Sequence, residues 1–359
     1  MMKSRVYFAP LPDGAPQQFQ AEALRKVYDA CGAESMFSEN DFVAIKIHAG
    51  EKGNVTHMKP FFIKQIVGRI REKSAYPFLT ETSTLYKGER ENAVKHLMLA
   101  HQNGFGIEEV GAPFIMADGL LGNTECEVEI GGELFKTVRI AGEIQSADTL
   151  FAVAHVTGHI VSGFGASVKT LGMGLASRKG KLRQHSAMHP EVDPALCRLC
   201  RKCIQWCPQA AIIEKDGKAY IEKEKCIGCG ECLAVCRFDA VKYDWGAESG
   251  FMQKSMAEHA LGVIKNKINR CCFFNLMVDM TKDCDCYGVA EEKLIPDIGI
   301  LASSDPVSID KAALDLSAEA NGKTLAELSF ADSNALIQLE HGHKIGLGSM
   351  DYELIDLGS

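Results

Sequence analysis

The chain has 359 residues, 14 cysteines and a formal net charge of -8. That length can bury one large domain with a module attached, and the acidic balance excludes the general electrostatic attraction that binding to nucleic acid requires. No uninterrupted apolar run is suited to spanning a bilayer, and the opening residues MMKSRVYFAPLPDG contain no apolar stretch of signal-peptide type. The expectation is a cytoplasmic protein in a cell reducing enough to keep its thiols unpaired, with neither membrane nor nucleic acid as a partner.

In chain order, RVYFA, FVAIKI, YPFLT, PFIMA and TLFAVAHV read as buried strands. Between them QFQAEALRKVYDA, KPFFIKQIVGRIREK and ERENAVKHLMLAHQN carry apolar residues at helical spacing. Strand and helix in alternation imply an α/β domain with a mixed, mostly parallel sheet. CEVEIGGELFKTVRI instead alternates apolar and polar residues around Gly131-Gly132, the pattern of an antiparallel hairpin. After a cysteine-rich stretch the α/β pattern resumes, with a helix in SMAEHALGVIKNKI, strands near CCFFNLMVD and IGILAS, and a helix in VSIDKAALDLSAEA. The expected division is therefore 1–190 and 246–359 as two parts of one α/β domain, with 191–245 inserted as a small α+β module. Two distinct domains flanking the module is the competing arrangement.

The inserted stretch carries the most specific motif. Cys197, Cys200, Cys203 and Cys207 follow C-x2-C-x2-C-x3-CP, and Cys226, Cys229, Cys232 and Cys236 repeat the intervals. In the bacterial ferredoxin arrangement the fourth cysteine of each run ligates the other run's cluster. The spacing thus assigns Cys197, Cys200, Cys203 and Cys236 to one 4Fe-4S cluster, and Cys226, Cys229, Cys232 and Cys207 to a second. Zinc sites usually pair C-x2-C knuckles over a longer gap, and disulfide frameworks belong to short secreted chains. AAIIEKDGKAYIEKEKCIG supplies a hairpin about Asp216-Gly217 that links the runs. Leu199 and Arg201 stand in the first run where Gly228 and Gly230 stand in the second. Arg198, Arg201 and Lys202 should favour reduction of the cluster they surround, and Trp206 should oppose it by excluding water.

Six cysteines remain. Cys31, Cys126, Cys271 and Cys272 read as small buried hydrophobes. Cys284 and Cys286, in TKDCDCYG, follow a strand directly, and an extended segment would put both thiols on one face, to hold a thiophilic metal or present an active thiol. His155 and His159 bracket a strand end, and GFGASVKT follows. Val168 occupies the second glycine position of a nucleotide-binding loop, so the reading is a looser anion site built on Gly163, Gly165, a helix N-terminus and Lys169. HAGEKGNVTHMKP offers His48 and His57, and ETSTLYKGER offers Glu81, Thr82, Tyr86 and Lys87. In a parallel sheet such loops converge outside the carboxyl ends of the strands. The candidate catalytic residues are His155, His159, Lys169, Cys284 and Cys286, and the candidate cofactor-binding residues are His48, His57, Thr82, Gly163 and Gly165.

IKIHAGEKGNVTHMKP, TETSTLYKGERENAVKHL, GHIVSGFGASVKTLGMGLASRKGKL, the paired cysteine runs, DMTKDCDC and PDIGILASSDPVSIDKAALDL together resemble the family called domain of unknown function 362, in its form with an internal ferredoxin module. The resemblance implies an iron-sulfur or ferredoxin-like protein of anaerobic microbes without an assigned reaction, and a distant likeness of the larger domain to nickel-cofactor lactate racemases. It draws attention to His48, His155, His159, Lys169, Asp283, Cys284, Asp285, Cys286 and Asp305, and supplies no roles for them. Three functional classes follow: an iron-sulfur oxidoreductase passing electrons through two 4Fe-4S clusters to a small substrate or second metal in a pocket of the α/β domain; a ferredoxin-like carrier or subunit whose large domain is a docking scaffold; and a metal-handling or cofactor-assembly protein. Each of the first two needs a redox partner protein as donor or acceptor.

Overall fold

Eight strands form one sheet: β1 (Ser4–Pro10), β2 (Phe42–Lys46), β3 (Tyr76–Glu81), β4 (Phe114–Met116), β5 (Thr149–His155), β6 (Cys271–Met277), β7 (Gly299–Ser303) and β8 (Tyr352–Asp356), in the order β8-β1-β7-β6-β5-β2-β3-β4. The computed structural model describes residues 3–86, 88–185, 190–226, 232, 235–238, 240–242 and 249–358. Lys87, Gly228, Cys229 and Gly230 lie outside the described residues. Seven strands run parallel, and β7 runs against both neighbours, so the sheet is mixed and mostly parallel. Edge strand β8 went unrecognised in the sequence, because YELID has no apolar alternation strong enough to separate it from a tail.

Strands β5 and β6 sit at the centre, and every residue of each is buried. Both faces of the sheet are therefore covered, which is why these strands read as continuous apolar runs. Leu150 and Ala152 enter one core while Phe151 and Val153 enter the other. Helices α1 (Gln17–Ala30) and α2 (Pro60–Glu72) cover the second face. The first is covered by α4 (Ser167–Gly172), α5 (Ser249–Ile264) and α6 (Pro306–Asn321), while α3 (Ala93–Gln102) follows β3. Local chemistry sets several helix starts. Pro60 opens α2 with its φ already helical, Asn92 accepts from the Lys95 amide at α3, and Asp305 accepts from the Val307 and Ser308 amides at α6. A Cβ at Gly172 would lie 2.0 Å from the Met256 carbonyl oxygen, so only glycine lets α4 and α5 approach this closely.

The chain leaves β2 toward β3 and the β4 edge, and leaves β5 toward β6 in the other direction. The strand order thus reverses between β2 and β5, and a crevice opens there beyond the carboxyl ends of both. The loops after β2, β3, β5 and β6 all reach it.

Residues between α4 and α5 make a small apolar cluster of their own, from Cys197, Ile212, Ala219, Ile221, Cys232, Ala240 and Val241. Two antiparallel pairs frame it, Glu191–Val192 with Val241–Lys242 and Ile212–Lys215 with Lys218–Ile221. The second turns at Asp216 and Gly217, with φ of 50° and 71°. Among the described residues, no helix is long and apolar enough to cross a membrane.

Glu258 of α5 is fully buried, and its carboxylate accepts from the Glu133, Leu134 and Phe135 amides at 2.8 Å each and from His341 Nε2 at 3.1 Å. Burial pushes its pKa up, but His341 and the three amides outweigh this and hold it below the usual carboxylate value. Glu258→Ala strands these donors inside the protein and is expected to destabilise it by about 3–5 kcal/mol, read as a lowered urea midpoint.

Candidate active site and cysteine module

The floor of the crevice is a buried charge network. Lys46, the last residue of β2, lies 3.3 Å from Glu81 Oε1 at the end of β3, and both side chains are 3% exposed. Glu81 Oε2 accepts from the Ala49 amide at 3.1 Å and from His96 Nε2 at 2.8 Å. Burial opposes ionisation of Glu81, yet Lys46 and the histidines hold it well below the carboxylate range. Beside it Lys181 donates to Thr82 Oγ1 and, at 2.7 Å, to the Ser83 carbonyl. Burial lowers the Lys181 pKa to about 8. Thr82 in turn donates to the Gly174 carbonyl at 2.9 Å.

Above the floor, Arg90 donates through Nε to Glu51 at 3.1 Å, points Nη1 at His48 Nε2 across 2.7 Å, and donates through Nη2 to the Tyr86 hydroxyl. The Gly50 amide lies 3.1 Å from His48 Nδ1. Both ring nitrogens of His48 therefore face N–H donors, whereas a neutral imidazole has one free lone pair. Cys286 Sγ is 3.5 Å from His48 Nε2.

Cys284 and Cys286 arrive on the loop after β6. Extended backbone was the condition for both thiols to share a face; instead the Tyr287 amide donates to the Cys284 carbonyl at 3.0 Å, closing a turn. The turn brings the two thiols and the Lys169 ammonium close enough to influence one another's ionisation. The Cys284 hydrogen bond pulls the Cys286 thiol well below its ordinary pKa, burial resists, and Lys169 and His48 reinforce the shift. Cys284 moves well above its usual value, through its bond to Cys286 and through burial. The two pKa values are thus pushed apart, with the Cys286 sulfur the more readily ionised of the pair. Burial disfavours the Lys169 charge, but the two sulfurs keep its pKa raised.

His155 fixes this turn. Its Nδ1 donates to both Asp285 oxygens, at 2.9 and 3.1 Å, and its Nε2 donates to the Val278 carbonyl at 2.8 Å. Every partner is an acceptor, so the ring is an imidazolium; burial lowers its pKa, and Asp285 more than restores it. The Glu51 amide donates to the Asp285 carbonyl at 3.0 Å and the Gly158 amide to the Thr281 carbonyl at 2.9 Å. A Cβ at Gly158 would meet the Lys282 carbonyl at 2.0 Å. His155 thus positions the thiols, with neither ring nitrogen left for a substrate.

The other candidates divide. His159 Nδ1 takes the Ser162 amide at 3.1 Å. Burial and the nearby Lys169 hold its pKa well below the usual value, so it is neutral, and Cys286 and His185 lie near it. His57 hydrogen-bonds the Asn54 carbonyl at 3.2 Å behind Gly50 and supports the loop. Asp305 caps α6. The glycine-rich loop does not wrap an anion: Gly163–Gly165 pairs with Thr157–His159, and the Ser167 and Val168 amides each donate to the Asp310 carboxylate at 2.8 Å. The helix start attracts negative charge as expected, but the chain supplies it from α6. Gly163 and Gly165 therefore have no ligand role in this geometry, and Lys169 turns to the sulfurs. Arg90, Lys46, Glu51, His96 and Lys181 were missed as site residues. For Lys46 a signal existed, a lysine inside the apolar run FVAIKI, since a buried charge demands a partner.

In the inserted stretch, Cys200, Cys236 and Cys197 surround Cys203 closely enough to influence its ionisation, and burial raises its pKa. Cys197 Sγ lies 3.5 Å from the Leu199 and Ala219 amides, and Cys207 Sγ lies 3.2 Å from the Ala211 amide. Leu199 and Arg201 take left-handed φ of 48° and 60°, the conformation that glycine adopts freely. Arg201 pairs with Glu214 at 2.9 Å, which offsets its charge, and Trp206 is 60% exposed, so it does not exclude water as expected. Cys271 and Cys272 are buried in the two cores, and Cys126 is half-buried. Half-buried Cys31 has its sulfur 3.4 Å from that of Cys272. Among the described residues, no three His, Cys, Asp or Glu side chains gather around a single metal ion.

The fold and site define an α/β protein with a charged crevice at its strand switch point and a cysteine-rich insertion. Residues 43–315 match the model of the family described as Domain of unknown function (DUF362), and the chain belongs to that family. Shorter stretches are similar to iron-sulfur proteins. An uncharacterized ferredoxin of Methanocaldococcus jannaschii is 42% identical over 50 residues, 13% of this chain and 30% of that protein. Pyruvate synthase subunit PorD of Methanothermobacter marburgensis is 34% identical over 80 residues, 22% of this chain and 91% of the subunit. Indolepyruvate oxidoreductase subunit IorA from the same organism is 39% identical over 51 residues, 14% of this chain and 8% of the subunit. The chain thus spans under a third of the ferredoxin and under a tenth of IorA. The lactate racemase apoprotein of Thermoanaerobacterium thermosaccharolyticum aligns with 98% of this chain and 83% of its own at 10% identity and a TM-score of 0.43, a likeness that carries no functional argument.

The His155 pKa is raised in the folded state, so its stabilisation is complete below an unfolded value of about 6.5 and is lost as pH rises through the folded value. Urea midpoints should therefore fall with rising pH above that point, and His155→Gln should lack this part of the dependence. At pH 6 the substitution leaves Asp285 buried without its cation and is expected to cost about 3–5 kcal/mol. An unchanged pH profile in the variant would count against the imidazolium.

Proposed function

We propose that this chain is an iron-sulfur electron-transfer protein in which residues 191–245 form a ferredoxin-type module serving a redox site in the crevice of the α/β domain. Cys197, Cys200, Cys203 and Cys236 would hold one 4Fe-4S cluster, and Cys226, Cys229, Cys232 and Cys207 the other. The donor set fits: thiols at ferredoxin spacing, with Cys197, Cys200 and Cys236 within charge range of Cys203 and backbone amides directed at two of the sulfurs. When bound, such clusters supply one-electron transfer.

One observation carries the link to the crevice. The two attachments of the inserted stretch bracket His159: His185, just before it, lies within charge range of that ring, and Ser249, just after it, donates to the Val161 carbonyl at 2.6 Å. His159 in turn borders Lys169 and Cys286. Attachment beside His159 supports a module that serves the crevice over one for which the α/β domain is a mere docking scaffold. Within the crevice, Arg90 and Lys169 supply cationic N–H groups, and His48 has more donors directed at it than a neutral ring can accept. A small substrate bearing a carboxylate or similar oxyanion would accept from Arg90 and relieve that conflict. Cys284 holds a proton beside it, and the buried walls exclude water from the anion.

Anaerobically purified protein should contain about eight irons and eight acid-labile sulfides per chain. Cys207→Ala should lose both clusters if the runs are cross-ligated. Four irons at full occupancy would refute the two-cluster assignment, and zinc in place of iron the whole reading. Arg90→Gln should leave the cluster spectra intact while raising KM for the oxyanion substrate at least tenfold; normal kinetics would return the α/β domain to a scaffold.

A further inference from the structure

We propose that Cys284 and Cys286 are a redox-active dithiol, which cycles with an intramolecular disulfide and stores a pair of electrons inside the crevice. The turn closed by Tyr287 and Cys284 folds the two cysteines, one residue apart, onto the same side of the crevice wall near Lys169, and His155 and Glu51 hold Asp285 between them from two directions. Cys284 is buried and Cys286 half-buried, so the pair is shielded from outside thiols without being sealed. Lys169 and Arg90 lie within charge range of Cys286, and His48 Nε2 is 3.5 Å from its sulfur. A buried anion is costly unless cations and hydrogen-bond donors meet it, and these groups meet the Cys286 sulfur; a thiolate beside a second thiol is the reactive half of a thiol–disulfide couple.

The step balances with groups on this chain. The disulfide takes up two electrons and one proton; the sulfur–sulfur bond breaks, Cys286 leaves as the thiolate and Cys284 as the thiol. The proton comes from the nearby Lys169 ammonium and is replaced from solvent. The reductant is by class a pair of one-electron iron-sulfur donors. That source rests on the function proposed above, whereas the dithiol itself does not. Such a pair converts single-electron delivery into the two-electron exchange that most small organic substrates require.

Trypsin provides a clean readout, since cleavage after Lys282 and Lys293 releases DCDCYGVAEEK, whose only cysteines are these two. The full-length, cluster-bearing protein is equilibrated anaerobically in dithiothreitol buffers of graded reduced-to-oxidised ratio, quenched in acid, alkylated and digested. The expected result is a peptide that changes from doubly alkylated to unalkylated and lighter by two hydrogens, in a single two-electron transition. Cys284→Ser and Cys286→Ser should each keep one alkylatable thiol at every ratio. A wild-type peptide that stays doubly alkylated under the most oxidising buffer overturns the proposal. Starting from the disulfide form, photoreduction of the clusters should restore both thiols. If the thiol buffer drives the transition and the clusters do not, the dithiol stands and the proposed electron path from the module falls.

Discussion

The contact between His155 and Asp285 joins residues 130 positions apart, and the crevice is organised around it. A positively charged imidazole at the end of β5 is tolerable inside the protein only because a carboxylate meets one nitrogen and a carbonyl the other. The same carboxylate belongs to the residue between Cys284 and Cys286. Satisfying one buried charge therefore also dictates where two sulfurs stand. The Glu51 amide, reaching the Asp285 carbonyl, ties the loop after β2 to the same point.

Around this anchor, charge is distributed in pairs that leave few groups free to act. Lys46 with Glu81, Arg90 with Glu51, and Lys181 with the Thr82 and Ser83 oxygens stabilise the walls. Lys169 differs, because the groups that sustain its charge are the sulfurs of Cys284 and Cys286, which are softer and more reactive than a carboxylate. The glycine-rich loop shows the opposite outcome. Its helix start is supplied by Asp310, and what looks from spacing like a receptor for an outside anion is an internal cap that orients Lys169.

The strand switch point explains why these groups meet at all. β2 and β5 are neighbours whose following segments depart in opposite directions, so the ends of both strands remain uncovered by their own connections. The inserted stretch leaves and rejoins the chain close to this opening, next to the loop that bears His159.

Local periodicity was enough to read the central strands, α1 to α3, the hairpin around Gly131-Gly132 and the mixed, mostly parallel sheet, because burial on both faces writes long apolar runs into the chain. The repeated cysteine spacing was equally legible, since cluster ligands must sit at fixed intervals along one loop. His155, Lys169, Cys284 and Cys286 could be singled out as unusual, but not given roles. Whether His155 reacts or positions depends on Asp285, and whether Lys169 faces an outside anion or the Cys284 sulfur depends on Asp310 and Cys284. Arg90 carried no mark at all in its segment. The sequence by itself determined the elements and the cysteine runs, because those follow from interactions between residues near in the chain. The partners in the crevice were decided only by the tertiary structure, because a buried charge is defined by whichever distant group the fold brings to it.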